Sequence, residues 1–179
     1  MTRQELEHAI RAACDVADDH EVWVFGSQSI LGQHPDAPAA LRQSAEVDVA
    51  PRNHPERADA IDGALGELSP FHETYGFYVH GLPIEAATLP EGWQDRAVSV
   101  SGAGTKPATG FCLEAHDLAA SKLAAFREKD RRFVRTLIVE GLVGADRLLS
   151  RVEALDLDDG SGRRLRSWIR ATAGLPPKD

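Results

Sequence analysis

Residues 21–49 read EVWVFGSQSILGQHPDAPAALRQSAEVDV. Val22 to Phe25 is a short apolar run of strand-forming residues, broken at once by Gly26 and Ser27. Further on, Glu46-Val47-Asp48-Val49 alternates two acids with two valines. Alternation with period two places both carboxylates on one face of a strand and both valines on the other, against a core. The acids then stand roughly 6–7 Å apart and repel each other, so something positive is expected between them. Mg2+ meets that need, because it takes hard oxygen ligands and binds one or two carboxylates together with substrate phosphates. Glycine lets the backbone approach a ligand closely. A helix beginning at Ser27 would turn its free N–H groups and positive dipole end toward a phosphate.

An apolar residue, Gly-Ser, a spacer and then acid-apolar-acid-apolar resembles the signature of the nucleotidyltransferase superfamily. Phe25, Gly26, Ser27, Glu46, Val47, Asp48 and Val49 stand in its positions. Two departures are visible: Glu46 occupies a place where Asp is usual, and the spacer from Gln28 to Ala45 is longer than the common form. The resemblance implies a third carboxylate on a later, adjacent strand. Glu85, in Ile84-Glu85-Ala86, is the residue assigned to it, as a third metal ligand and as acceptor of the proton from the attacking hydroxyl.

The chain has 179 residues, enough for one domain with a helical extension, and its hydrophobic content of 42% supports a real core. Aromatics make up 6%, so that core is built from Ala, Leu and Val. The net charge of −8 is unevenly spread. Residues 1–119 hold 7 Lys or Arg against 19 Asp or Glu, a balance of −12, whereas residues 120–179 hold 13 against 9, a balance of +4. A basic end beside an acidic, metal-seeking half is compatible with a site that gathers phosphates, and equally with ordinary surface charge. Cys14 and Cys112 are too few for a disulfide framework or a zinc site, which fits a reducing cytoplasm. The first 20 residues carry acids throughout with no apolar core of signal-peptide type, and no stretch is long enough to cross a membrane. A cytoplasmic location without membrane partners is the expectation.

In chain order, Thr2 with Glu5 has capping-box spacing, and Leu6, Ile10, Ala13 and Val16 or Ala17 form one face of a first helix. Strands are expected at 21–25 and 45–50, with a short helix near 29–31 and a loop over 33–43. Pro55 opens a helix running to about Leu68, with Ala58, Ile61, Ala64, Leu65 and Leu68 buried. Strands at 75–80 and 82–88 would form a hairpin at Gly81, and 93–100 would add another. SGAGTKPATG, residues 101–110, reads as a mobile loop, and its Lys106 lacks the context of a P-loop. His80 and His116 read as local polar residues.

From Glu114 the composition turns helical. Asp117-Leu118-Ala119-Ala120-Ser121-Lys122 through Arg127-Glu128-Lys129-Asp130 resembles a helical motif of the AbiEii-like nucleotidyltransferase toxins and their uncharacterised relatives. That resemblance implies that Lys122 holds the triphosphate, that Asp130 positions it or a basic neighbour, and that Arg127 assists. Two further helices should follow, burying Leu148, Val152, Leu155, Leu165, Trp168 and Ile169. Arg163, Arg164, Arg166 and Arg170 suit an RNA backbone, a solvated face or an acidic partner.

The expected architecture is a mixed α/β (α+β) nucleotidyltransferase-like sheet flanked by helices over residues 1–113, then a helical region over 114–179 that completes the active site. By resemblance the activity is NMP transfer from an NTP such as ATP to an acceptor hydroxyl, with pyrophosphate released. Glu46, Asp48 and Glu85 hold Mg2+, Gly26, Ser27, Lys122 and Arg127 bind the nucleotide, and Lys122 and Asp130 complete the catalytic set. The implied setting is a toxin-antitoxin pair, with a cognate antitoxin as partner and the tRNA 3′ end as acceptor. The alternatives are a small-molecule enzyme of the aminoglycoside-modifying kind and a non-catalytic binding module of the same fold.

Overall fold

The computed structural model describes residues 1–176. It is a mixed α/β fold whose chain divides into two compact units, one of residues 1–86 and 96–114, the other of residues 87–95 and from Ala115 onward.

The first unit is built on a five-stranded mixed sheet of β1 (Glu21–Val24), β2 (Glu46–Pro51), β3 (Tyr78–Gly81), β4 (Val98–Val100) and β5 (Thr109–Cys112), in the order β3-β2-β1-β5-β4. β1 runs antiparallel to β2 and parallel to β5; β2 runs parallel to β3, and β4 antiparallel to β5. The register puts Val22, Val24, Val47, Val49 and Val79 on one face, all fully buried. Against this apolar face packs α1 (Arg3–Ala17), through Leu6, Ile10, Ala13 and Ala17. Thr2 and Glu5 close the expected capping box at its start, an arrangement typically worth about 1 kcal/mol. The short α2 (Ile30–Gln33) and α3 (Ala58–Leu65) also pack on the sheet.

Asp19, only 5% exposed, ties the start of β1 to the end of β2. Its carboxylate accepts from the backbone N–H groups of Glu21, Asn53 and His54 and from the Asn53 side chain, at 2.7–3.1 Å. Burial alone would raise its pKa. The hydrogen bonds from Asn53, Glu21 and His54 outweigh that and hold it below the ordinary carboxylate value.

Several boundaries differ from the sequence reading. The helix opened by Pro55 stops at Leu65, leaving Leu68 81% exposed with φ of 64°. Ser69 and Pro70 then start α4 (Pro70–Tyr75), with the Ser69 hydroxyl accepting from His72 N–H. The strand expected over 82–88 is absent. After Gly81 the chain leaves the sheet through Pro83, which has no N–H to give a ladder, into a 3-10 turn at Ile84–Ala86. Residues 93–96 form α5 (Trp93–Arg96), so only β4 remains of the expected strand there. The loop 101–110 is tied internally by Thr105, fully buried and bonded to Gly102, and it leads into the unforeseen β5.

The second unit is helical, with α6 (Ala115–Ala125), α7 (Glu128–Val139), α8 (Ala145–Glu153) and α9 (Asp159–Thr172). Leu118, Leu123, Leu137, Leu148 and Leu165 are its largest fully buried side chains. α6 is buried nearly all round from Ala115 to Ala120, including Asp117. Of the residues expected to point inward on α9, Leu165 and Ile169 do so, while Trp168 stays half-buried.

Candidate functional site

Glu46 and Asp48 lie on the face of β2 opposite the valines. The parallel register sets Asp48 abreast of His80 and Glu46 abreast of Tyr78 on β3, so two acids, an imidazole and a phenol share one patch of sheet. His80 Nδ1 lies 3.0 Å from Glu46 Oε1 and 3.4 Å from Asp48 Oδ1, and its Nε2 lies 3.9 Å from Asp62 Oδ1 on α3. One ligand atom from each of Glu46, Asp48 and His80 falls within 4.8 Å of the others, a spacing that suits one cation. Burial raises the Tyr78 phenol, and Glu46, Glu67, Asp48 and Asp62 push it the same way, a mark of the negative potential over this face.

The Gly-Ser turn belongs to the same patch. Phe25 N–H donates to Asp48 O at 3.1 Å, which brings the end of β1 alongside the acid. A Cβ on Gly26 would stand 1.8 Å from Asp48 Oδ2, so the carboxylate occupies the room that any other residue would need. Glycine is required here for close approach, by a side chain of the protein itself. Ser27 begins a 3-10 turn, Ser27–Ser29, followed by the single turn of α2. That segment is too short for a sizeable macrodipole, so any hold on a phosphate must come from individual N–H groups rather than a helix end. Gln28 Nε2 donates to Ser44 O at 3.1 Å and anchors the turn to the entry of β2.

Glu85 is not on a strand beside these acids. It sits exposed on the 3-10 turn beyond β3 and is outside the cation-sized trio. His80, read from sequence as a local polar residue, is the third member instead. Its signal was its place in the run Tyr78-Val79-His80, where period two sets it on the face opposite a buried valine. His116 does act locally: its Nε2 accepts from Gly144 N–H at 3.0 Å.

In the second unit Lys122 and Asp130 meet because the helix breaks between them. Eight residues of continuous helix would separate them by about 12 Å along the axis. Instead Phe126 adopts φ of 50°, α7 restarts at Glu128, and Lys122 Nζ comes to 3.6 Å from Asp130 Oδ1. The guanidinium groups of Arg131 and Arg164 pack on the Phe126 side chain, 4.9 Å and 4.4 Å from its ring centroid. Arg127 Nε reaches Asp130 Oδ2 at 2.6 Å. Asp130 is 1% exposed and Lys122 13%, and the ammonium also lies 4.8 Å from the Phe133 ring centroid. Lys122 and Asp130 thus form a folded-back, mostly buried pair. A second buried pair joins α6 to α8, with Arg151 Nε 3.0 Å from the fully buried Asp117.

Both thiols are poor nucleophiles. Burial and the acids Asp19, Asp15 and Glu21 push Cys14 up to about 12, and burial, against the lowering pull of Arg3, takes Cys112 to about 12. The acid-rich sheet face beside the Gly-Ser turn offers instead the oxygen donors that a divalent ion takes.

Residues 4–168 match a protein family described as nucleotidyltransferase of unknown function (DUF6036). The chain belongs to this family. No curated protein and no solved structure matches it. Membership supports the nucleotidyltransferase superfamily, with transferase activity, an NTP substrate and a divalent metal as its general attributes. Among the described residues no helix is long and apolar enough to cross a membrane.

Proposed function

We propose that the protein is a metal-dependent nucleotidyltransferase, in which Glu46, Asp48 and His80 hold a divalent cation and Gly26 and Ser27 present backbone N–H groups to the nucleotide phosphates. The observation that carries this reading is the cation-sized trio set directly beside a glycine whose side-chain space is filled by Asp48. The donor set fits, since two carboxylates with a nitrogen ligand and open positions can take a divalent ion that also binds phosphate oxygens. When bound, such an ion neutralises charge on the phosphates as the transition state forms. The acceptor hydroxyl oxygen attacks the α-phosphorus, the bond from that phosphorus to the bridging oxygen breaks, and pyrophosphate leaves with the electron pair. The hydroxyl proton passes to a nearby carboxylate. Glu85, exposed on its 3-10 turn and outside the trio, is assigned no part in this scheme.

Lys122, positioned by Asp130 with Arg127, is assigned to the triphosphate on the strength of the helical motif over 117–130. The same motif favours an AbiEii-like toxin acting on the tRNA 3′ end, restrained by an antitoxin. The arginines of α9 favour an RNA acceptor over a small molecule, with Arg163 and Arg164 exposed.

Isothermal titration with each NTP, with and without a divalent cation, tests the first claim: metal-dependent binding of a triphosphate is expected, and equal binding in EDTA would defeat it. Incubation with α-labelled nucleotides, total RNA and total protein tests the second. Label on RNA of tRNA size is expected; label on protein alone would remove the tRNA reading.

A further inference from the structure

We propose that the His80 imidazole tunes this cation site for a first-row transition ion such as Mn2+ over Mg2+. The inference rests on the metal-dependent reading above and concerns which ion the site takes.

A histidine that ligates a metal through one ring nitrogen carries its proton on the other, and that N–H is almost always held by a carboxylate, a carbonyl or water. His80 has the carboxylate for this arrangement on the right side of its ring, at a distance longer than a direct hydrogen bond. Its Nε2 faces Asp62 Oδ1 at 3.9 Å, while its Nδ1 faces the space shared by Glu46 Oε1 and Asp48 Oδ1, at 3.0 and 3.4 Å. Asp62 is carried by α3, whose backbone is seated closely on β3. A Cβ at Gly81 would stand 2.1 Å from Ala58 O and 3.0 Å from Asp62 N, so the helix lies directly on the strand end that follows His80. The carboxylate facing Nε2 therefore comes from a helix seated directly on the sheet.

The choice of ion follows from the donor atoms. Mg2+ demands near-octahedral oxygen coordination and gives up water reluctantly, whereas imidazole nitrogen is a better donor to transition ions. A third carboxylate at the position of His80 would make an all-oxygen, trianionic site suited to Mg2+. A neutral nitrogen there removes one negative charge and adds a softer ligand, and both changes move the balance toward Mn2+ and its neighbours.

The test is equilibrium binding on the full chain stripped with EDTA, following free Mn2+ by its EPR signal and displacing it with Mg2+. Wild type is expected to prefer Mn2+ by about 10-fold or more, and His80→Asp to lower that preference by about 10-fold while binding Mg2+ at least as well. His80→Asn, which removes the imidazole without adding charge, should weaken Mn2+ and leave Mg2+ little changed. Circular dichroism and thermal unfolding establish that each variant is folded. An unchanged Mn2+/Mg2+ ratio in both folded variants, or a parent protein that prefers Mg2+, would overturn the inference while leaving the metal-dependent reading intact. A parent that binds neither ion at millimolar concentration would overturn both.

Discussion

In the first unit one imidazole, His80, faces three carboxylates, Glu46, Asp48 and Asp62, and the trio that could share a cation is 23–35% exposed. In the second unit Asp130 is met by both Lys122 and Arg127, and Asp117 by Arg151, with the two acids at 1% and 0% exposure. The first arrangement collects like charge where a ligand can reach it. The second buries charge and compensates it from within. A buried acid leaves an uncompensated partner when it is removed, whereas a half-exposed acid among acids loses mainly its capacity to bind. The same residue type should therefore report on stability in one unit and on ligand affinity in the other.

The largest expected effect lies in the second unit. Asp117→Ala should lower the unfolding free energy by about 3 kcal/mol, because Arg151 is left without its buried partner. Urea unfolding followed by tryptophan fluorescence would measure this, and a change below about 1 kcal/mol would break the contrast between the units. Next in size is Asp48→Asn, which should weaken divalent-cation affinity on the order of 100-fold while shifting unfolding by less than about 1 kcal/mol. A loss of stability comparable with that of Asp117→Ala would mean that Asp48 is a structural residue.

Asp19 supplies a control within the first unit, an acid that is buried and hydrogen-bonded rather than gathered with other acids. Its folded pKa lies below the ordinary 3.8, so the stability it confers is present above that value and is lost as pH falls through the folded pKa. Asp19→Ala should cost roughly 2 kcal/mol at pH 7 and flatten the acid limb of the stability profile below pH 4. Metal affinity should be unchanged. Gly26→Ala should have the smallest effect of the four, weakening cation binding about 10-fold as the new methyl displaces the Asp48 carboxylate. Calorimetry with Mn2+ reads it directly, and an unaltered affinity would show that Asp48 can swing aside without consequence.

Much of this organisation was legible in local pattern. Val22 to Gly26 and Glu46 to Val49 declare a strand, a break and a strand with one acidic face, because period-two alternation and a Gly-Ser interruption are local facts. The capping box at Thr2 and the amphipathic stripes of α8 and α9 are equally local. Register between strands is not. Nothing in Tyr78-Val79-His80 says that His80 lies abreast of Asp48 rather than Glu85 arriving on a further strand; that depends on the parallel pairing of β2 with β3 and on the exit of the chain at Pro83. β5 escaped because Thr109-Gly110-Phe111-Cys112 contains a glycine where a strand wants a side chain. The reason appears only in the packed state, where Ile10 fills that space and a Cβ would stand 2.4 Å from its Cδ1. The fold-back that joins Lys122 to Asp130 was hidden for a similar reason. Phe126 is a poor candidate for a left-handed residue, and Arg164, one of the two arginines on its ring, comes from α9 far along the chain.

The central claim is that Glu46, Asp48 and His80 together hold the cation on which nucleotide binding depends. Anomalous diffraction from crystals grown with Mn2+ and a non-hydrolysable NTP tests it most directly. The account predicts one strong peak about 2.1 Å from a carboxylate oxygen of Glu46, a carboxylate oxygen of Asp48 and His80 Nδ1, with triphosphate oxygens completing the shell. Nucleotide bound with no peak at these three side chains, or with the metal held elsewhere, would contradict it.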